Sequence, residues 1–263
     1  MKTEGGDFLR SGDFTPLASN YALYRPGYSP FVLEAFLALL GKDPGALHIA
    51  DVGAGTGIWS RALAGCGVRV TAVEPNEAMR EAGIRQTGPL PITWRQGAAE
   101  ETGLPASQFD AVCMASSFHW THFEVAIKEF CRILKPKGLF LALWNTRHYE
   151  SNPLLVDIEE SLHAMVPHLK RVSSGRSEFC AGLQERLRQQ AAFADVLYLE
   201  GRHIERQSRE HYMGLWESVN DVRAQAGEEA FARFIRTVRD KIAASPYIEA
   251  EYATRAWLAR REA

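Results

Sequence analysis

Three glycines at alternate positions, Gly53, Gly55 and Gly57, stand between Asp51 and the start of an apolar, helix-like stretch. Before them runs Leu47-His48-Ile49-Ala50-Asp51-Val52, which reads as a buried strand. Glycines this dense weaken any regular element, so they mark backbone that bends sharply and lets a ligand approach closely. Glu74 closes a second apolar run, Val70-Thr71-Ala72-Val73, and its carboxylate can accept from both hydroxyls of a ribose. A dinucleotide site requires Gly-x-Gly-x-x-Gly, whose last glycine lets the helix close on a pyrophosphate. Here Ile58 stands where that last small residue should be. The spacing therefore suits an adenosyl ligand without phosphate, its amino-acid part lying over the glycines.

Other residues could act on a second molecule. His119 and His148 follow two further apolar runs, and an imidazole is the usual general base near neutral pH. Asn145 could orient a substrate through its amide, and Trp144, Tyr149, Tyr212 and Trp216 could line an aromatic pocket, with core packing favoured for Trp144. No Gly-x-Ser-x-Gly elbow is present, which argues against a hydrolase. The four cysteines, Cys66, Cys113, Cys131 and Cys180, are scattered with no metal-ligand spacing, so no metal site is expected.

The elements that must position these residues alternate. Val32, Ala35, Phe36, Leu39 and Leu40 mark a helix opened by Pro30 and closed by Gly41. Strands follow at Leu47–Val52, Val68–Val73, Ile92–Arg95, Asp110–Ala115 and Leu139–Trp144. Between them lie a helix bearing Ile58, one capped by Asn76, and one through Phe123 and Leu134 that stops at Lys135-Pro136-Lys137-Gly138. Such alternation implies a Rossmann-like, doubly wound α/β sheet, with ligands at the carboxyl ends of its strands. Residues 149–192 show helical spacing alone and are read as a helical cap inserted after strand five. Val196–Leu199 restores a strand, helices follow around His211–Val219 and Glu228–Ala243, and Tyr247–Arg260 is a last, antiparallel strand. The expected organisation is thus a core with an amino-terminal lid over 1–148, the cap over 149–192, and completion of a seven-stranded sheet over 193–263.

Taken in order, Asp51–Gly57, Glu74, Gly97-Ala98-Ala99-Glu100, Asp110-Ala111-Val112 and Leu134-Lys135-Pro136-Lys137-Gly138 resemble the motif set of class I S-adenosylmethionine (SAM)-dependent methyltransferases, in particular the type 11-like small-molecule group. The likeness spans about residues 20 to 147. It implies SAM as cofactor. Asp51 with the Gly53, Ala54 and Gly55 backbone would hold the methionine part, Glu74 the ribose, and Pro75 and Met79 the adenosine. Ala98 and Ala99 would face the adenine edge through their amides; many relatives carry an acid at the Ala98 position, and its absence leaves Glu100 or the backbone to take the adenine amino group. Ser116 would lie beside the methionine part. The Tyr24-Arg25-Pro26-Gly27-Tyr28 segment resembles an amino-terminal lid whose aromatics cover the sulfonium, a contact worth about 0.5–2 kcal/mol, and Tyr21, Arg25 and Tyr28 are the cofactor contacts expected from this region. For catalysis the resemblance points to His119, Asn145 and Tyr28, and the Phe118-His119-Trp120 signature fits a loop-holding role for His119 as well as a proton-moving one.

A net charge of −2 gives no general attraction to nucleic acid or anionic membrane, and no Asn/Asp-Pro-Pro-Tyr/Phe motif follows strand four. No run approaches the roughly 20 apolar residues of a membrane span, and the amino terminus has no apolar signal region. With 46% hydrophobic and 24% charged residues the composition is ordinary for a soluble globular enzyme, and the scattered cysteines suit reduced thiols in a cytoplasmic protein. The resemblance implies a small-molecule acceptor, and a monomer or homodimer is expected. Two alternatives share the cofactor site: a cyclase or lyase in which SAM's own amine or carboxylate attacks and methylthioadenosine leaves, and a non-catalytic SAM-binding protein.

Overall fold

The computed structural model describes residues 23–170 and 174–262. The chain forms one seven-stranded sheet of order β3-β2-β1-β4-β5-β7-β6. Its strands are β1 (His48–Val52), β2 (Arg69–Val73), β3 (Ile92–Arg95), β4 (Phe109–Ala115), β5 (Leu134–His148), β6 (Phe193–Ser208) and β7 (Tyr247–Arg261). β1 pairs in parallel with β2 and β4, β2 with β3, and β4 with β5, while β7 is antiparallel to β5. The doubly wound sheet with an antiparallel last strand is therefore as the sequence implies.

Two compact units divide the described residues, and each is a body of its own. The sheet unit comprises 27–146, 174–203 and 252–262, and the helical unit 23–26, 147–170 and 204–251. In the sheet unit, successive side chains of a strand point to opposite faces. Ala50, Val52, Val112, Met114, Phe140, Ala142 and Trp144 face one core, with residues of α4 (Phe123–Ile133) and α6 (Glu178–Arg188). Ile49, Val70, Ala111, Cys113, Leu139, Leu141 and Leu143 face the other, with α1 (Pro30–Leu40) and α2 (Ile58–Gly65). Burial on both faces explains why these strands read as unbroken apolar runs. α3 (Glu77–Thr87) completes the unit, its start capped by Asn76, whose Oδ1 accepts from the Met79 N–H at 3.0 Å.

Three features depart from the sequence reading. β5 begins at Leu134 rather than Leu139: Phe109 pairs with Leu134 but Ala111 with Leu139, so Lys135–Gly138 bulge outward, with Lys137 at φ 64°. β6 covers sixteen residues rather than Val196–Leu199; beyond Leu199 it alternates exposed with buried or half-buried positions and carries no apolar run. The stretch 149–192 is not one cap. α5 (Pro153–Met165) belongs to the helical unit, where α8 (Asn220–Ile242, broken at Gly227) packs on α5 and on α7 (Arg209–Glu217). α6 belongs to the sheet unit, because Cys180, Leu183 and Leu187 complete the core under Phe140 and Phe193.

Trp94 of β3 fixes how α3 lies on the sheet. A Cβ on Gly83 of α3 would sit 2.2 Å from the indole, whose Nε1 donates to the Thr87 hydroxyl at 3.1 Å. Alanine ordinarily stabilises a helix interior by about 1 kcal/mol over glycine. Gly83→Ala is expected to reverse that sign and cost about 1–3 kcal/mol in urea unfolding, the range for overpacking; a gain in stability would contradict the packing.

Candidate cofactor site at the carboxyl ends of the parallel strands

The turn after β1 holds all three glycines at positive φ, 65° at Gly53, 57° at Gly55 and 77° at Gly57. They serve different ends. A Cβ on Gly53 would lie 2.7 Å from the Ser117 Oγ, and one on Gly57 2.9 Å from the Trp94 ring. A Cβ on Gly55 would meet only Met79 Cε, at 3.4 Å. Gly53 and Gly57 are thus required by packing against the chain itself, and Gly55 is the position where the turn leaves room for something else. Gly57 also caps α2 in the left-handed region, which leaves Ile58 as the first helical residue.

Glu74 ties this turn to the next one. Its Oε2 accepts from the Gly55 N–H at 2.8 Å and its Oε1 from the Asn76 N–H at 2.8 Å. Burial raises its carboxyl above the ordinary range, opposed by those two amide bonds and by Arg80, whose guanidinium donates to the Glu74 carbonyl at 3.1 Å. Each carboxylate oxygen has about two acceptor sites, and one on each is taken. One site per oxygen is left, which fits a ribose diol donating twice.

Asp51 lies at the carboxyl end of β1. Its side chain is 0% exposed, and Oδ2 accepts from the Ser60 hydroxyl at 2.5 Å beneath the turn. Burial pushes its carboxyl up to about 7, with Glu74 adding to the rise and Ser60 opposing it. Ser60 thus engages one carboxylate oxygen, and the other, Oδ1, is buried with no hydrogen-bond partner among the described residues.

Ser116, at the end of β4, adopts φ 60°, uncommon for a residue with a Cβ. Its N–H donates to the Leu143 carbonyl at 2.8 Å and its hydroxyl is 3.0 Å from the Tyr28 hydroxyl. Tyr28 is also set edge-on to Trp59, with ring centroids 5.4 Å apart. Backbone held in this region tends to mark sites where geometry is imposed for function. Met79 is buried beside Gly55, the Ala54 N–H donates to Val73 at 3.1 Å, and Pro75 is exposed. The structure thus gathers Gly53, Ala54, Gly55, Glu74, Pro75 and Met79 at adjoining turns, and Tyr28 with Ser116 at the end of β4.

Other expected residues are engaged elsewhere. The Ala98 amide is taken by the Glu101 carbonyl at 3.3 Å in a small antiparallel bridge, and Ala99 is buried. The Glu100 carboxylate accepts from the His122 N–H at 2.7 Å and so holds the start of α4. Arg25 lies in the helical unit, donating to the Ser218 carbonyl at 3.0 Å just past α7. Asn145 spends its amide on the chain, Nδ2 donating to the Gly27 carbonyl at 2.5 Å and Oδ1 accepting from the Thr254 hydroxyl at 2.6 Å. His119 accepts on Nδ1 from the Trp144 indole at 3.2 Å, which leaves its proton on Nε2. Burial lowers its pKa to about 4. Its acceptor nitrogen is thus occupied by Trp144 and hard to protonate. Tyr21 lies outside the described residues. Tyr212 and Trp216 are buried in the helical unit, with the Arg147 guanidinium 5.2 Å from the Trp216 ring centre and 3.0 Å from Glu159. Ser117 and Trp94 went unnoticed in the sequence because their part is to fill space against glycines, which no motif records.

Residues 50–142 match a methyltransferase domain model, and with its strand order and antiparallel β7 the chain has the Rossmann-like fold of solved methyltransferases. It is 35% identical over 127 residues to an uncharacterised methyltransferase of Mycobacterium tuberculosis, covering 48% of this chain and 49% of that one. Over 97 residues it is 34% identical to a ubiquinone/menaquinone biosynthesis C-methyltransferase of Rubrivivax gelatinosus, covering 36% of this chain and 38% of that one. The chain thus spans half or less of the length of these curated relatives. Among solved structures, a proposed type II methyltransferase of Anaeromyxobacter dehalogenans shares the fold with a TM-score of 0.62 and 22% identity, over 90% of this chain and 98% of that one. No helix among the described residues is long and apolar enough to cross a membrane, and no group of metal-ligating side chains is found among them.

The Asp51 carboxyl sets a pH dependence. Its native pKa of about 7 lies above the roughly 3.9 of an unfolded aspartate, so its favourable term is complete below about pH 4 and lost as pH rises through 7. Asp51→Asn, which mimics the protonated form, is expected to gain stability relative to the natural protein between pH 5 and pH 8, by on the order of 1–4 kcal/mol in parallel urea titrations. A difference that stays flat across that range would contradict the burial of an ionisable Asp51.

Proposed function

We propose that the protein transfers the methyl group of SAM to a small-molecule acceptor. The observation that carries this reading is the Glu74 carboxylate joined to the Gly55 amide, at a glycine turn that stays open only at Gly55. In this proposal Glu74 holds the ribose, the Gly53–Gly55 backbone the amino-acid part and Met79 one side of the adenosine, while Tyr28 and Ser116 border the reacting end. SAM supplies an already activated methyl group. Positioning then carries most of the acceleration, since well-oriented reactants reach effective molarities of about 10⁵–10⁸ M.

The residues present support a site that orients rather than one built around an imidazole base. His119 is neutral above about pH 4 and occupied by Trp144. A small acceptor is supported by the family match and by the C-methyltransferase relative, whose named pathway is quinone biosynthesis. The segment after β4 turns Phe118 inward among Phe123, Phe130 and Phe140, which supports a folded rim over a displayed loop.

Incubation with methyl-labelled SAM and pooled small metabolites, read by mass spectrometry, tests the proposal. Label is expected in a small acceptor, with S-adenosylhomocysteine formed in equal amount only when acceptor is present. Methylthioadenosine appearing from SAM alone would overturn methyl transfer in favour of intramolecular attack. In the same assay His119→Asn, whose amide oxygen replaces the Nδ1 acceptor, is expected to stay within about fivefold of the natural rate; general-base removal typically costs 10²–10⁴-fold. A loss of that larger size with an unchanged unfolding midpoint would return His119 to catalysis.

A further inference from the structure

Thr254 belongs to β7, is fully buried, and stands far in sequence from every motif of the cofactor site. Its hydroxyl nevertheless makes two directed bonds. It accepts from the Ser29 N–H at 2.8 Å and donates to Asn145 Oδ1 at 2.6 Å. The Asn145 amide, fixed in its orientation by that bond, donates from Nδ2 to the Gly27 carbonyl at 2.5 Å. The two peptide groups that flank Tyr28 are thus held, one on each side, by a single Thr254–Asn145 pair reaching across from β7 and β5. Tyr28 between them ends with its hydroxyl 3.0 Å from the Ser116 hydroxyl, on backbone at φ 60°.

We propose that Thr254 and Asn145 are positioning residues that act on the cofactor through Tyr28. All the groups involved lie in the sheet unit. The inference rests on the reading that Tyr28 borders bound SAM. The physical reason is entropic and geometric. A tyrosine on an unanchored stretch spreads over several backbone and rotamer states, and a ligand must select one of them at its own cost. Bonds on both neighbouring peptides leave the ring only its side-chain torsions, and Trp59 and Ser116 restrict those. Thr254 suits the task because one hydroxyl can accept and donate at once, and its β-branched side chain is stiff at χ1. Valine has the same shape and can do neither. Serine can do both.

The test is titration of S-adenosylhomocysteine by calorimetry into the full chain and its variants. Thr254→Val is expected to weaken binding by about tenfold, the scale of losing one buried hydrogen-bonding partner, and Thr254→Ser to stay within about twofold. In a Tyr28→Ala background, where no ring remains to be positioned, Thr254→Val is expected to change affinity by less than about twofold. Asn145→Asp, which keeps the acceptor for Thr254 and removes the donor to Gly27, reads the same chain from its other end should Thr254→Val fail to fold. It is expected to show the same loss and the same dependence on Tyr28. Unchanged affinity in Thr254→Val or Asn145→Asp would overturn the inference. So would an equal loss with and without Tyr28, which marks a general effect on the fold. Failure of the natural protein to bind S-adenosylhomocysteine at all would instead overturn the methyltransferase reading itself.

Discussion

Two main-chain amides from different turns converge on one carboxylate. Glu74, at the end of β2, takes the Gly55 N–H from the turn after β1 and the Asn76 N–H from the start of the next connection. Hydrogen bonds to an ionised acceptor are about twice as strong as neutral ones. Here burial would otherwise favour a neutral acid, so the amides are what compensate the charge. The clamp ties Gly55, at positive φ, to β2 and leaves one acceptor site on each carboxylate oxygen. In the proposed reading, shape and ligand chemistry come from the same group.

Everything beneath that clamp serves to keep it still. Asp51 and Ser60 lie under the turn, Ser117 closes on Gly53 and Trp94 on Gly57, and α2 begins directly from Gly57. The sheet supplies the platform by simple alternation, odd and even residues of β1, β4 and β5 going to opposite helical layers. The same platform reaches the Tyr28 segment from the far side, through Asn145 of β5 and Thr254 of β7. An antiparallel strand added after β5 therefore does more than close the sheet, since it brings a hydroxyl to a segment more than 200 residues earlier.

The buried parallel strands were legible because they are covered on both faces and so leave an apolar signature, as Leu139–Trp144 does in the middle of β5. Their extensions were not, since residues 135–137 and 145–148 of β5 and the second half of β6 are largely polar and carry no apolar run. The helix at Glu178–Arg188 showed its spacing, but nothing in that spacing tells a cap from a core layer; the partner face at Phe140 decides it. Of the site, the turn and Glu74 followed from residue type and order alone. The contacts of Asp51, Asn145 and His119 did not, because each side chain could reach a ligand or a neighbour, and its direction depends on Ser60 of the next helix, Thr254 of β7 or Trp144 of β5.

The central claim is that the Glu74 carboxylate both shapes the turn and receives the ribose. Replacing it with glutamine keeps its size while removing the charge and one acceptor. Measured by calorimetric titration of S-adenosylhomocysteine at matched unfolding midpoints, Glu74→Gln is expected to weaken binding by about 30-fold or more, the scale of losing hydrogen bonds to a charged acceptor. A variant that folds and binds as tightly as the natural protein would contradict the account.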